Sequence, residues 1–378
     1  MRAYRWFLVA ACLGTTPANA SLYPLEGAST TKVAFEDQDA DAPAPEIATD
    51  EVTSHYAQGE GCGCNGGGGG CGSCGECNSC CTPLFSYTSC CPDGCWDGCG
   101  YPQDRLLGVI RRSDYCFNDF ISPISNPLFF EDPRQLSEVR MIYAHHIIPD
   151  DVPVLQGGDA NYYAMQIRAR LTDRLSLVAN KDGYIELDTP GTGQTEGWAD
   201  VAAGLKYTVF RNPQRKFLLS AGAIYEIDMG RHEVFQGRGD GEFNFFVSGA
   251  KQFGCRTHWI SGTGFRIPTN HTDRSQMWYW SNHFDYQFTN MLYGLVQFNW
   301  FHWLRSGDGD LGTNGFEGLD LINLGSTGVS GNDIVTCALG GKLKPYRNVE
   351  AGLGWEFPVT ERRDILEDRF YADLILRY

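Results

Sequence analysis

The chain lacks any run of eighteen or more apolar residues, although 42% of its 378 residues are hydrophobic. A helical membrane anchor in the mature protein is therefore not expected. Positive charge is also scarce, with 30 Lys and Arg against 46 Asp and Glu for a net charge of −16. No basic stripe is available to displace the counterions of a phosphate backbone, which argues against nucleic acid as a partner. Catalytic signatures are missing too: there is no GxSxG and no HExxH, so neither an elbow nucleophile nor a metalloprotease site is in view. The best acid–base pair is His283 with Asp285 on one face of a strand, and it reads more simply as a solvated pair. The Asp308-Gly309-Asp310 stretch resembles a calcium loop, but Gly312 stands where a ligand is required and no Glu closes the loop. It reads as a flexible acidic loop. The expectation is a protein that is not an enzyme and holds no cofactor and no metal.

The first 137 residues are uneven in composition. Arg2 and Arg5, the apolar run from Trp6 to Leu13 and Ala18-Asn19-Ala20 have the form of an export signal over 1–20, cleaved after Ala20. A rival reading takes Val9-Ala10-Ala11-Cys12 as a lipoprotein box with lipid on Cys12. Residues 21–60 are acidic, with Ala, Pro and Thr and no apolar periodicity, as in a disordered linker. Residues 61–100 are a Cys/Gly-rich low-complexity segment. Cys62, Cys64, Cys71, Cys74, Cys77, Cys80, Cys81, Cys90, Cys91, Cys95, Cys99 and the more distant Cys116 are disulfide candidates, because thiols oxidise outside the cytoplasm. The alternative, zinc on CxxC steps, is opposed by the absence of histidine from this stretch and by the five-glycine run Gly66 to Gly70. Disulfide-linked homo- or hetero-partners are thus implied, with Cys255 and Cys337 unpaired, the latter facing lipid. Residues 101–137 form an irregular periplasmic or plug segment: Leu106, Leu107, Val109 and Ile110 suggest one short amphipathic helix, and Pro123, Pro127 and Pro133 keep the rest irregular.

From Glu138 onward the pattern changes. Twelve segments of strand length fall at 138–148, 161–171, 175–187, 197–210, 217–228, 241–253, 256–267, 276–288, 291–303, 332–344, 349–357 and 367–378. Their linkers alternate between tight polar turns and longer loops, the longest running from Leu304 to Gly331. Apolar and polar residues sort by face with period two. Phe370, Ala372, Leu374, Leu376 and Tyr378 oppose Arg369, Tyr371, Asp373, Ile375 and Arg377. An even count lets the first strand pair with the last and leaves no edge in lipid. The expected fold is all-β: a closed antiparallel transmembrane barrel of about 12 strands over 138–378, in the outer membrane. The first strand, with Arg140, His145 and His146, is the one whose register face sorting leaves open, and Lys181 falls on an apolar face. Aromatics cluster toward strand ends, with Trp198, Trp278, Trp280, Trp303 and Phe357 near the long loops and Phe210, Phe217, Tyr286, Phe288 and Tyr378 near the short turns.

The lumen lining follows from the same sorting. Gln166, Arg168, Arg170, Lys206, Glu226, Asp228, Glu242, His283, Asp285, Lys342, Glu356, Asp373 and Arg377 are expected to point inward. Basic residues, Lys344 among them, gather toward the short turns, and Glu226, Asp228, Glu242 and Glu356 toward the long loops. A solute would then meet an acidic mouth and a basic exit, with Asp285, Glu350 and Arg369 breaking the trend.

The turn Leu171-Thr172-Asp173-Arg174-Leu175-Ser176-Leu177, the strand opening Gly197-Trp198-Ala199-Asp200-Val201 and the terminal alternation Phe370 to Tyr378 resemble outer-membrane barrels of the meta-pathway phenol-degradation transporter type. The resemblance covers 138–378 and implies a porin or transporter for small solutes, with membrane lipid and the barrel-assembly machinery as partners. It also implies that Phe370, Leu374, Leu376 and Tyr378 serve as the assembly signal. The Cys-rich extension departs from that pattern and suggests an alternative, a structural or adhesive envelope protein crosslinked through its cysteines.

Overall fold

The computed structural model describes residues 105–309 and 311–378. The proposed signal peptide, the acidic linker, Cys12 and the cysteines from Cys62 to Cys99 lie outside the described residues. Fourteen strands follow in chain order: β1 Glu138–Ile147, β2 Asp159–Arg170, β3 Leu175–Lys181, β4 Tyr184–Thr189, β5 Gly193–Trp198, β6 Val201–Asn212, β7 Phe217–Ile227, β8 Glu242–Phe253, β9 Thr257–Pro268, β10 Gln276–Gln287, β11 Leu292–Arg305, β12 Asp333–Tyr346, β13 Val349–Pro358 and β14 Asp368–Arg377. β3 with β4, and β5 with β6, are two staves each broken once, so the fourteen strands make twelve staves. β1 pairs antiparallel with both β2 and β14, which closes the sheet into a barrel.

Closure satisfies every stave edge, and the pleat then separates two environments. Met141, Tyr143, Met165, Leu205, Tyr207, Phe245, Val247, Phe265, Leu343, Leu353, Phe370, Leu374 and Leu376 are exposed on the outside, a continuous apolar belt that water would not support. Glu138, Arg140, Arg168, Lys206, His283, Lys342, Glu350, Asp373 and Arg377 are buried on the inside. The alternation in β14 matches the face sorting residue by residue. The open register of β1 is settled, with Arg140 and His146 inside and Met141 and Tyr143 outside.

Three expectations about the strands need correction. Lys181 is buried rather than on the apolar face, because the pairing of β3 with β6 shifts register between Ala179 and Lys181. The bulge turns Asn180 and Lys181 inward together, and Lys181 Nζ meets Glu226 at 2.9 Å. Trp303 shares the inward parity of Gln297 and Asn299, so it is fully buried instead of joining an interfacial belt. The linker after residue 187 is not long: β4 and β5 form a hairpin that pairs Thr189 with Gly193 around residues 190–192.

Residues 105–112 are not helical. Leu107 and Gly108 both take positive φ, and Leu106 and Ile110 exchange backbone hydrogen bonds across this tight turn. The apolar side chains that suggested a helix face, Leu106, Leu107 and Val109, are exposed.

Candidate functional site

The interior contains a second piece of chain. Arg111 N–H bonds Arg170 O beside the short turn between β2 and β3, and Asp114 N–H bonds Gln135 O at 2.8 Å, so residues 114 and 135 meet at the base of the barrel. Between them the chain rises into the lumen and returns. On the way up, Ser122 N–H donates to Glu350, Ile124 and Ser125 N–H to Gln297 Oε1, and Asn126 Nδ2 to Ser281. Asn126, at positive φ, turns the tip, and its carbonyl accepts from Phe129 and Phe130. On the way down, Pro133 O accepts from Ser220, and Gln135 bonds Ser176 and Thr208. These partners lie on β3, β6, β7, β10, β11 and β13, which places this hook inside the barrel.

Why the hook goes in is legible in its side chains. Phe117, Phe120, Ile121, Ile124, Leu128, Phe129 and Phe130 are all buried, and burying each such group is worth about 1.5–3 kcal/mol. The wall makes room with glycine. A Cβ on Gly262 would stand 2.8 Å from the Phe130 ring, and one on Gly354 would stand 3.0 Å from Ile124. Lower down, Phe117, Phe120 and Phe130 pack with Leu218, Ala250 and Ile260.

Charge complementarity adds to this packing. The wall is basic at the turn end, and the hook supplies acid: Glu131 accepts from Arg168 Nη2 at 2.6 Å and from Lys206 Nζ at 2.7 Å. Arg168 also reaches Glu138 at 3.0 Å, Arg377 bridges Glu138 and Glu350 at 2.8 Å each, and Lys342 bridges Glu350 and Asp373 at 3.0 and 2.7 Å. Arg134 grips Asp132 within the hook, and Lys344 Nζ donates to Phe120 O. Gln166 Nε2 reaches Pro127 O and Asn180 O.

The residues expected to line the lumen are therefore mostly buried and bonded to one another or to the hook. Near the mouth, Glu226 meets Lys181 and Arg274, and Glu242 meets Arg274 at 3.2 Å. Glu356 accepts from Thr336, Asn299 and Tyr371. Arg170 lies at the turn end against Asp173, half-buried, and Asp228 sits just beyond the end of β7. The expected basic exit carries the acids Glu131, Asp132, Glu138 and Glu350 among its cations, so no uncompensated basic ring stands there.

His283 and Asp285 share one strand face at 3.3 Å, but both are buried rather than solvated, because the hook and the neighbouring strands close over them, and Asp285 also holds His258 Nδ1 at 2.6 Å. Neither ring nitrogen of His283 has a hydrogen-bond partner. The cluster brings imidazoles to a carboxylate without a bonded nucleophile. Cys116, the one disulfide candidate among the described residues, makes no disulfide with another described cysteine. It is buried at the base of the hook, where its carbonyl accepts from Lys216. Cys255 is exposed. Cys337 occupies an outward register but is buried between its cross-strand neighbours Phe298 and Phe357.

The mouth is covered by the loop after β11, expected to be flexible and acidic. It is instead packed, with Leu319, Leu321, Ile322, Leu324 and Val329 buried. Glu317, fully buried, accepts from the backbone N–H groups of Leu324 and Ser326 and from the Ser275 hydroxyl. Asp320 extends inward to Arg369 at 2.7 Å, and Arg369 Nε donates to His146 Nδ1, whose Nε2 donates to Ile365 O. No group of acids, histidines or cysteines suited to a metal occurs among the described residues.

In the neighbouring loop over residues 359–367, burial pushes the Asp364 carboxyl up to about 7, with Arg362 opposing the rise and Glu317 adding to it. A raised folded-state value means that the closed arrangement keeps the proton longer than an opened loop, whose carboxyl would titrate near its ordinary value of about 4. Closure is thus fully favoured below about pH 4 and is progressively penalised from about pH 4 to about pH 7. Hydrogen exchange at residues 364–366 is expected to accelerate across that window beyond its intrinsic pH dependence. Asp364→Asn should flatten the excess, and an unchanged pH slope in that variant would contradict the assignment.

A closed antiparallel barrel, apolar outside and charged inside, is a membrane-spanning β-barrel of the outer-membrane kind. No protein-family model matches the chain, and no curated protein matches it. Among solved structures the chain is similar to an outer membrane channel from Pseudomonas putida F1, with 11% identity, a TM-score of 0.49 and coverage of 68% of this chain and 100% of that one. It is also similar to the NanC porin, at 7% identity and a TM-score of 0.40 over 64% of this chain and 99% of that chain. The KdgM porin is 10% identical with a TM-score of 0.36, covering 63% and 99%.

Proposed function

We propose that this barrel is an outer-membrane channel for small polar solutes, held shut at rest by the hook over residues 114–135 and by the loop over its mouth. The observation that carries the reading is the polar, charged wall behind a hook that bonds to wall side chains without pairing with any strand among the described residues. A barrel built solely as an anchor has no need of such a wall, since apolar filling would serve as well or better than buried ion pairs. Twelve staves enclose a narrower lumen than sixteen-stranded porins, which limits passage to small solutes. The Leu171–Leu177 turn and the Gly197–Val201 stretch support kinship with the meta-pathway transporter barrels. In the latter, Asp200 accepts from Gly230 and Gly237 N–H and from Arg274. The β14 alternation ending in Tyr378 supports recognition by the barrel-assembly machinery.

One observation favours the structural reading, an envelope protein crosslinked through Cys62 to Cys99: hook and mouth loop together fill the lumen. Planar-bilayer recording separates the two. The intact protein is expected to show brief, infrequent openings, more frequent at neutral than at acidic pH. A folded barrel that stays silent at every pH overturns the channel reading, and reductant-sensitive multimers on gels would then support the structural one.

A further inference from the structure

Three arginines of this barrel, Arg134, Arg168 and Arg211, bind a carboxylate in the same way. A guanidinium presents its Nε–H and one Nη–H as a parallel pair that matches the two oxygens of a carboxylate. Arg168 gives Nε and Nη2 to Glu131 at 2.9 and 2.6 Å. Arg134 gives the same pair to Asp132 at 2.9 and 2.6 Å, and Arg211 to Asp114 at 2.7 and 3.0 Å.

Arg266 on β9 has no carboxylate in that position, and among the buried arginines of the described residues it alone leaves both Nε and one Nη without a partner. It is 1% exposed, its Nη1 donates to Leu319 O of the mouth loop at 2.9 Å, and its guanidinium lies over the Phe129 ring at 5.5 Å. Its Nε and Nη2, the carboxylate-matching edge, have no hydrogen-bond partner. Glu242 stops 3.8 Å from Nε, held by Arg274 and by Asn323. Directly across the β8–β9 ladder stands Asn244, also buried. Its Oδ1 accepts from Tyr279, and its Nδ2 likewise has no partner. Three donors from two facing residues, with no acceptor among them, suit an anion.

We propose that Arg266 and Asn244, between the tip of the hook and the underside of the mouth loop, bind the carboxylate of a small organic acid. The site deepens the channel reading and rests on it for access: an acid entering past the mouth loop takes the place that Glu131, Asp132 and Asp114 take on Arg168, Arg134 and Arg211. Phe129 and Tyr279, stacked at 5.3 Å, form the apolar floor beside it.

The test is calorimetric titration of the full-length folded protein in detergent, with benzoate as the probe and benzyl alcohol as its uncharged counterpart. Benzoate is expected to bind saturably and roughly tenfold or more tightly than benzyl alcohol, since a two-point charged contact is replaced by a single neutral one. Arg266→Met should abolish the preference, and Arg266→Lys, which keeps the charge but not the fork, should lose most of it. Arg369→Met, which loosens the mouth loop, supplies an open form in case closure slows entry. Absence of benzoate binding to both the native protein and Arg369→Met overturns the proposal, as does undiminished binding to Arg266→Met. Benzoate binding by a barrel silent in bilayers would leave the site standing and remove the channel reading; conduction without benzoate binding would do the reverse.

Discussion

Glu131→Ala should loosen the hook and destabilise the barrel by about 3–5 kcal/mol, the usual cost of removing one partner from a buried charge network. The carboxylate holds Arg168 and Lys206 together. Its loss leaves Lys206 with only Asp132 O, while Arg168 keeps Glu138. Urea-induced loss of heat-modifiable gel migration measures the effect. Lys206→Met added to Glu131→Ala should cost less than the sum of the two changes, because the orphaned ammonium is then gone. Strict additivity would mean that the pair does not couple hook to wall.

The second large effect is expected at Arg369. Arg369→Met strands the buried Asp320 carboxylate, takes the nearby cation from Glu356, which keeps Thr336, Asn299 and Tyr371, and removes the donor to His146. A cost of about 3–5 kcal/mol is again expected. It should fall unevenly: hydrogen exchange over residues 317–326 should rise, while β9, which carries no Arg369 contact, stays protected. Equal acceleration in both places would show that Arg369 supports the barrel as a whole instead of fastening the mouth loop.

The wall of this protein was written openly in its sequence, because period-two alternation is forced wherever one face meets lipid and the other does not. Phe370, Leu374 and Leu376 against Asp373 and Arg377 is that constraint in five residues. Where the alternation is interrupted, the reading failed: the bulge at Ala179 to Lys181 inverts Lys181, and sequence carries no mark of it beyond a charge in the wrong place. Trp303 failed for another reason. Tryptophan at a strand end reads as interfacial, yet its parity with Gln297 and Asn299 already pointed inward.

The interior was legible only by half. Inward positions on the wall follow from parity, but their partners lie elsewhere in the chain, and nothing local ties Glu131 to Arg168 and Lys206. Prolines at 123, 127 and 133 rightly announced irregular backbone. The better signal in that segment was the apolar content from Phe117 to Phe130, too much for a water-exposed linker. The run Leu319-Asp320-Leu321-Ile322-Asn323-Leu324 carried a similar hint that the long loop folds onto something. Nothing in the sequence marks Arg266 and Asn244, since their distinction lies in what their neighbours are already bonded to.

The claim that the barrel is shut by its own hook is tested most directly by removing it. Residues 114 and 135 meet at the base, so the chain between them can be replaced by a short glycine–serine linker without straining β1. Single-channel recording of that protein, its folding checked by heat-modifiable migration, should show long-lived open steps larger than those of the intact chain. A folded, hookless barrel that remains silent would contradict the account.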